Sequence, residues 1–167
     1  MQLLISDSNI LIDMMVIGHI ETMFRLPYTF AVPDILYFEE LQAQHSELPD
    51  YGLEVLELSS EAVGYAMSLS GRYNGPGMND LFALALAREH TCPLLTGDND
   101  LRRAADEEGV VLYGTIWIIE HMVRHRFVTI AEAHRLIEEL KEKKRRLPWD
   151  VARAHLYEFE RELGLET

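Results

Sequence analysis

Five short apolar runs punctuate the first two-thirds of the chain, at residues 3–6, 29–32, 54–58, 93–96 and 110–113. Three of them (LLIS, PLLT and VVLY) are almost continuously apolar, as parallel strands covered on both faces are. Apolar positions at helical spacing lie between them, over 33–44, 60–72, 79–90 and 101–108. This alternation predicts βαβ crossovers and a three-layer α/β sandwich around a parallel sheet. After Gly114 the pattern is helical only. Thr129-Ile-Ala-Glu132 has the form of a capping box, and Ile130, Ala133, Leu136, Ile137 and Leu140 follow at helical spacing. Leu147-Pro148 interrupts that pattern, Asp150 suits the start of a last helix and Gly164 its end. No repeat or linker is visible. The expectation is one domain over residues 1–167, with an α/β core at 1–114 and a helical extension at 115–167.

Composition narrows the picture modestly. A chain of 167 residues with 48% hydrophobic and 26% charged residues can bury a core of its own. No apolar run approaches the roughly 20 residues that cross a bilayer, and no signal peptide is apparent. Cys92 is the only cysteine, which rules out an intrachain disulfide framework and fits a reducing compartment, the cytoplasm by default. The formal net charge of -13 argues against broad attraction to nucleic acid or anionic membrane. Basic residues nevertheless cluster at Lys141, Lys143, Lys144, Arg145 and Arg146, at Arg102-Arg103 and at Arg124-His125-Arg126. Such clusters read as solvated helix surface or as local patches facing phosphate.

The acids carry the chemistry. In a parallel α/β sheet, ligands bind beyond the carboxyl ends of the strands. Asp7 directly follows the first strand, and Asp98 and Asp100 follow the strand at 93–96. Asp80 opens a helix whose Ala83, Ala85 and Ala87 permit close packing on the sheet, and Glu39 and Glu40 lie in the helix after the second strand. Four separate segments therefore send carboxylates toward one mouth. Their convergence is strongly repulsive without a cation. An all-oxygen donor set favours Mg²⁺ or Mn²⁺ over zinc, and such ions activate water and neutralise phosphate oxygens. Capping a helix or turn is the competing role for Asp80 and Asp98. Periodicity does not choose between Glu39 and Glu40.

The segments LLISDSNILID, AVPDILYFEEL, NDLFALALA and LLTGDNDLRRAA, in this order and spacing, resemble PIN-domain nucleases, among which VapC-type toxins of toxin–antitoxin pairs are abundant. The tail GTIWIIEHMVRHRFVTIAEAHRLIEELK is similar to that of a PIN-like bacterial and archaeal subgroup. The resemblance implies a twisted parallel sheet with helices on both sides and Mg²⁺- or Mn²⁺-dependent cleavage of RNA. It implies acidic ligands at Asp7, Glu39 (or Glu40), Asp80 and Asp98, with Asp100 in support. Asn9 or Ser8 would orient Asp7, and Thr96 would hydrogen-bond within the site. Arg102 and Arg103 are candidates for contact with RNA, and a cognate antitoxin is a candidate partner.

The alternative is a PIN-like scaffold that works by binding protein and lacks useful catalysis. A phosphoaspartate phosphatase fits less well, because Asn9 stands where it places a second aspartate. A receiver domain wants a lysine after its last strand, where this chain has Gly114-Thr115. The glycine-rich stretch 73–78 before Asp80 reads as a tight turn or a lid. Ile10, Ile12, Met14, Met15 and Ile17, together with the helix at 60–72 and its Met67, carry more apolar surface than one sheet face needs. The expectation from this surplus, and from the resemblance, is a homodimer.

Overall fold

The structure is a computed structural model and describes residues 1–143, 145 and 149–164, with the side chains of 149–151 left aside. In chain order the elements are β1 (Gln2–Ser6), α1 (Ser8–Val16), α2 (Ile20–Phe24), β2 (Tyr28–Pro33), α3 (Asp34–Leu36), a π-helical turn (Tyr37–Leu41), α4 (Gln42–His45) and α5 (Leu48–Tyr51). There follow β3 (Glu54–Leu56), α6 (Ser60–Arg72), α7 (Met78–Glu89), β4 (Leu94–Leu95), α8 (Asn99–Glu107) and β5 (Leu112–Tyr113), then α9 (Thr115–Arg124), α10 (Ile130–Glu142) and α11 (Trp149–Glu162). The five predicted strands all form, although β4 and β5 shrink to two residues each.

The strands pair in parallel in the order β3-β2-β1-β4-β5. β1 is central, with Ile5 opposite Ala31 on one side and Leu94 on the other. Leu4 and Ile5 are fully buried, which explains the continuous apolar run: both faces of β1 are covered. α1 and α2 connect β1 to β2, with α2 packed against β2, while α6 and α7 connect β3 to β4 and α8 connects β4 to β5. α7 lies against β1, β2 and β4. Its stretch from Leu81 to Ala87 is buried throughout, with the small alanines allowing the helix axis to approach the sheet.

The connection after β1 is the main difference from expectation. Ile10, Leu11 and Met14 of α1 are at most 1% exposed, and Ile17 is buried too. Their periodicity of three and four residues is that of a helix sunk in the core. The apolar surplus taken as a sign of dimerisation therefore resolves largely into this chain's own core. Met67 on α6, however, remains 59% exposed, and Ile12 and Met15 are half-buried.

The extension packs onto the core through α9, which touches β5 and α2, while α10 and α11 pack against α9 and each other. One buried apolar cluster includes residues from Leu4 in β1 to Phe159 in α11. Aromatic rings fasten α9 in place: Trp117 stacks on Tyr113 at 4.3 Å and 9°, and lies 5.3 Å from the ring of Tyr28. Thr129 caps α10 as expected, accepting the Glu132 N–H at 3.1 Å. Lys144, Arg146, Leu147 and Pro148, and the side chain of Asp150, lie outside the described residues. Arg145 is described. Its Nε donates to Asp13 at 2.5 Å, and Thr115 donates its hydroxyl to the other oxygen of Asp13 at 3.2 Å. Asp13 is 5% exposed, and burial raises its pKa against the pull of Arg145.

Breaking a buried ion pair from one side leaves a charge without its partner. Arg145→Met is expected to lower unfolding free energy by about 3 kcal/mol, and Asp13→Asn by less. If the extension is part of one cooperative unit, calorimetry of Arg145→Met should still show a single transition, shifted down. A separate low-temperature transition for the extension would contradict the single-domain expectation.

Candidate active site

The sheet order reverses direction between β1 and β4, and the crevice beyond their carboxyl ends is where open α/β sheets bind ligands. Asp7 sits there, 1% exposed. It is the N-cap of α1: one carboxylate oxygen accepts the Ile10 N–H at 3.0 Å. The other accepts the Thr96 hydroxyl at 2.5 Å from the neighbouring strand's end. The Thr96 hydroxyl in turn accepts the Asp98 N–H at 3.1 Å. The two strand ends are thus joined side chain to side chain. Burial pushes the Asp7 pKa up to about 7, against the lowering effect of its two hydrogen bonds, and Asp80 and Asp13 raise it further.

Asp80 and Asp98 reach the same mouth, each also serving as a cap. Asp80 accepts the Gly77 N–H at 3.1 Å at the start of α7. Asp98 is the N-cap of α8 and accepts the Leu101 N–H at 2.9 Å. The capping role weighed against ligation is therefore real for both, yet each cap occupies one oxygen of a carboxylate that has two. Burial raises the Asp80 pKa, and the nearby Asp98 and Glu40 charges add to it.

Glu39 and Glu40 both fall in the π-helical turn, and this is why helical periodicity could not separate them. A π turn inserts a residue and rotates everything after it. Glu40 accepts the Ser8 hydroxyl at 3.1 Å and is felt by Asp80. Glu39 accepts the Asn79 amide at 2.8 Å. Glu40 thus stands beside the Asp7–Asp80 pair, and Glu39 is engaged at its edge. Asn9 makes no hydrogen bond to the Asp7 carboxylate; its side-chain oxygen accepts from Arg145 at 3.5 Å.

The stretch before α7 is narrow for a steric reason. Neither Gly75 nor Gly77 adopts a left-handed backbone. A Cβ on Gly75 would fall 2.4 Å from the Asp100 carboxyl carbon, so glycine there makes room for Asp100. Arg102 donates to the Thr96 carbonyl at 2.7 Å, and Arg103 is exposed. Two participants were not anticipated by sequence reading: Asn79 as the partner of Glu39, and the Asp13–Thr115–Arg145 group beside Asn9. Neither residue type nor spacing marks them, because their partners lie 40 and more than 100 residues away.

The donor chemistry fits a hard divalent cation: carboxylate oxygens only, one of them buried and short of positive compensation. Among the described residues, no three acid, histidine or cysteine side chains are already closed into a metal-ligating group. The acids share the mouth while their caps hold them apart. Asp7, Glu40, Asp80 and Asp98 together concentrate negative charge that a divalent cation would balance.

Comparison with known proteins agrees with this picture at the level of fold and family. No curated protein sequence matches the chain significantly. Among solved structures, the VapBC2 complex of Rickettsia felis, bound to a DNA fragment from its promoter, contains a chain similar in fold. The TM-score is 0.50 at 18% identity, covering 68% of this chain and 98% of that one. A family model described as PIN domain (DUF3368) matches residues 3–161. With nearly its whole length matched, and with acids from four segments at the mouth of its parallel sheet, this chain belongs to the PIN-domain family, whose members are nucleases.

Proposed function

We propose that the protein is a metal-dependent ribonuclease acting in the cytoplasm, the toxin of a toxin–antitoxin pair. The observation that carries this reading is the buried Asp7 carboxyl. It is pushed to about 7 and surrounded by further acids, an arrangement that costs stability unless a cation is bound. Asp7, Glu40, Asp80 and Asp98 would hold Mg²⁺ or Mn²⁺, with Asp100 and Glu39 in support. The ion would supply an activated water and neutralise the scissile phosphate. Thr96 would keep Asp7 oriented by its 2.5 Å hydrogen bond, and Ser8 would do the same for Glu40 at 3.1 Å. The antitoxin as partner is supported by the fold shared with a VapBC complex. The exposed Ile35, Phe38 and Met67 give a homodimer or an antitoxin apolar surface to cover. No helix among the described residues is long and apolar enough to cross a membrane.

Three outcomes test this. Asp7→Asn keeps size and removes charge; cleavage of single-stranded RNA in Mn²⁺ is expected to fall at least about tenfold, roughly 1.4 kcal/mol in the transition state, to the level seen with EDTA. Equal cutting with EDTA or with the variant would mean that the activity lies elsewhere, and metal binding without cleavage of any RNA would favour the scaffold reading.

The second outcome is thermodynamic. The folded state raises the Asp7 pKa from 3.8 to about 7, so folding favours the protonated acid. That contribution is intact below the unfolded pKa and is lost as pH rises through the folded one. In EDTA, Asp7→Asn is therefore expected to stabilise the protein by on the order of 4 kcal/mol at pH 8 and by less than about 1 kcal/mol at pH 4, measured by denaturant melts. Added Mn²⁺ should stabilise the wild type above pH 7 and not the variant. A constant difference across this pH range would contradict the buried-charge account.

The third is assembly. Sedimentation at micromolar concentration is expected to show a dimer, with Met67→Asp weakening it if α6 forms part of the interface. A monomer at that concentration would leave the exposed apolar residues to the antitoxin.

A further inference from the structure

Thr96, which orients Asp7, also lines a second feature: a cavity of about 220 Å³ whose walls include Asn99, Arg102, Ile116, Trp117 and His155. It is assembled from the turn after β4, the start of α8, the first turn of α9 and α11 of the extension. Its charge is the opposite of its neighbour's. In a chain with 28 acidic residues, no carboxylate lines this cavity among the described residues, whereas an arginine and a histidine do. Arg102 spends one N–H on the Thr96 carbonyl at 2.7 Å, which fixes the guanidinium at the boundary between the acids and the cavity. Trp117 is fixed as well, stacked on Tyr113 and 4.0 Å from the ring of His121. With Ile116 it makes a rigid apolar wall.

The size limits the occupant. Pockets for drug-sized ligands run from roughly 300 to 1,000 Å³, so this one suits no more than a single nucleotide unit. The chemistry limits it further: a fixed guanidinium recognises phosphate, and an apolar wall beside it recognises a base or ribose. An unpaired strand can splay one nucleotide sideways into such a cavity, and a duplex cannot.

We infer that this cavity holds one nucleotide of the single-stranded substrate, next to the cleaved bond, with its phosphate on Arg102 and His155 and its sugar and base along Ile116 and Trp117. The inference rests on the nuclease reading and deepens it. The phosphate at the acids is the one attacked; the neighbouring phosphate is held here by positive charge, which fixes the strand's direction and register. The helical extension is then part of the substrate site, because His155 and one wall of the cavity come from α11.

The chain has two tryptophans, so Trp149→Phe leaves Trp117 as the sole fluorescent reporter in the cavity wall. This protein, in EDTA and at low salt, is titrated with ribonucleoside 5′-monophosphates and with inorganic phosphate. A saturable change in emission with a nucleotide is expected, at least about tenfold weaker with phosphate alone. His155→Ala and Arg102→Gln, each checked for an unchanged melting curve in EDTA, should weaken nucleotide binding by roughly tenfold, the size of one charge-assisted hydrogen bond. His155 is exposed on α11, so its replacement keeps the test decisive if Arg102→Gln disturbs the turn at Thr96. No saturable response, equal binding of bare phosphate, or a response untouched by His155→Ala overturns the inference. The nuclease reading stands or falls separately: Mn²⁺-dependent cleavage without a Trp117 response sinks only the cavity proposal, and nucleotide binding without any cleavage sinks only the nuclease.

Discussion

The arrangement at the mouth of the sheet depends on keeping one carboxyl group, that of Asp7, out of water. Asp7 ends the central strand and begins the first helix, so the group lies where the packed core meets the crevice. Two hydrogen bonds, from Ile10 and Thr96, hold it, and they are not enough to restore its ordinary acidity. The same bond from Thr96 ties β1 to the turn after β4. A change that relaxed Asp7 into solvent would also part the strand ends between which the crevice opens.

Three of the acids at this mouth stand at helix starts: Asp7 for α1, Asp80 for α7 and Asp98 for α8. Helix N-termini carry partial positive charge and free amides, each worth some 0.3–1 kcal/mol to a nearby anion at exposed positions. This explains how a fold tolerates several carboxylates together before any cation arrives. It also explains their spacing: each amide pulls its acid back toward its own helix. A ligand can take the uncapped oxygens of Asp80 and Asp98 and must compete with existing hydrogen bonds only at Asp7, and it is compensated by the relief of repulsion among Asp7, Asp80, Asp98 and Glu40.

What could be read from the sequence followed the range of the interactions involved. Strands buried on both faces, such as β4 and the end of β1, leave an unmistakable apolar run, and the half-exposed edge strand β3 was visible from its alternation with the helices around it. The helix at 60–72 was visible too, because Ser59 caps it and its period is unbroken. α1 was hidden, because a helix buried on most sides shows little polar alternation and abuts a strand with only Asp7 between. The choice between Glu39 and Glu40 was hidden by the π turn, a local departure from the 3.6-residue period that depends on what the helix packs against. The glycine at 75 looked like a turn residue, whereas the cause is the Asp100 side chain 25 positions away. Partners as distant as Asp13 and Thr115, or Arg145 and Asn9, have no signature in either residue's neighbourhood.

The net charge of -13 looked like an objection to any meeting with a polyanion, and the spatial distribution of charge removes much of its force. Screening over about 8–10 Å makes the local surface, more than the total, decide what a strand feels on contact. Near the crevice that surface is divided. Acids crowd the mouth itself, where a cation would cancel them. Arg102 and His155 line the adjoining cavity, and Arg145 lies beside Asn9 at the rim. The long-range field still opposes approach, so association should be slow and strongly dependent on divalent ions. The acidic surface and the nuclease site are then compatible, because one sets the rate of encounter and the other acts only on a strand already seated.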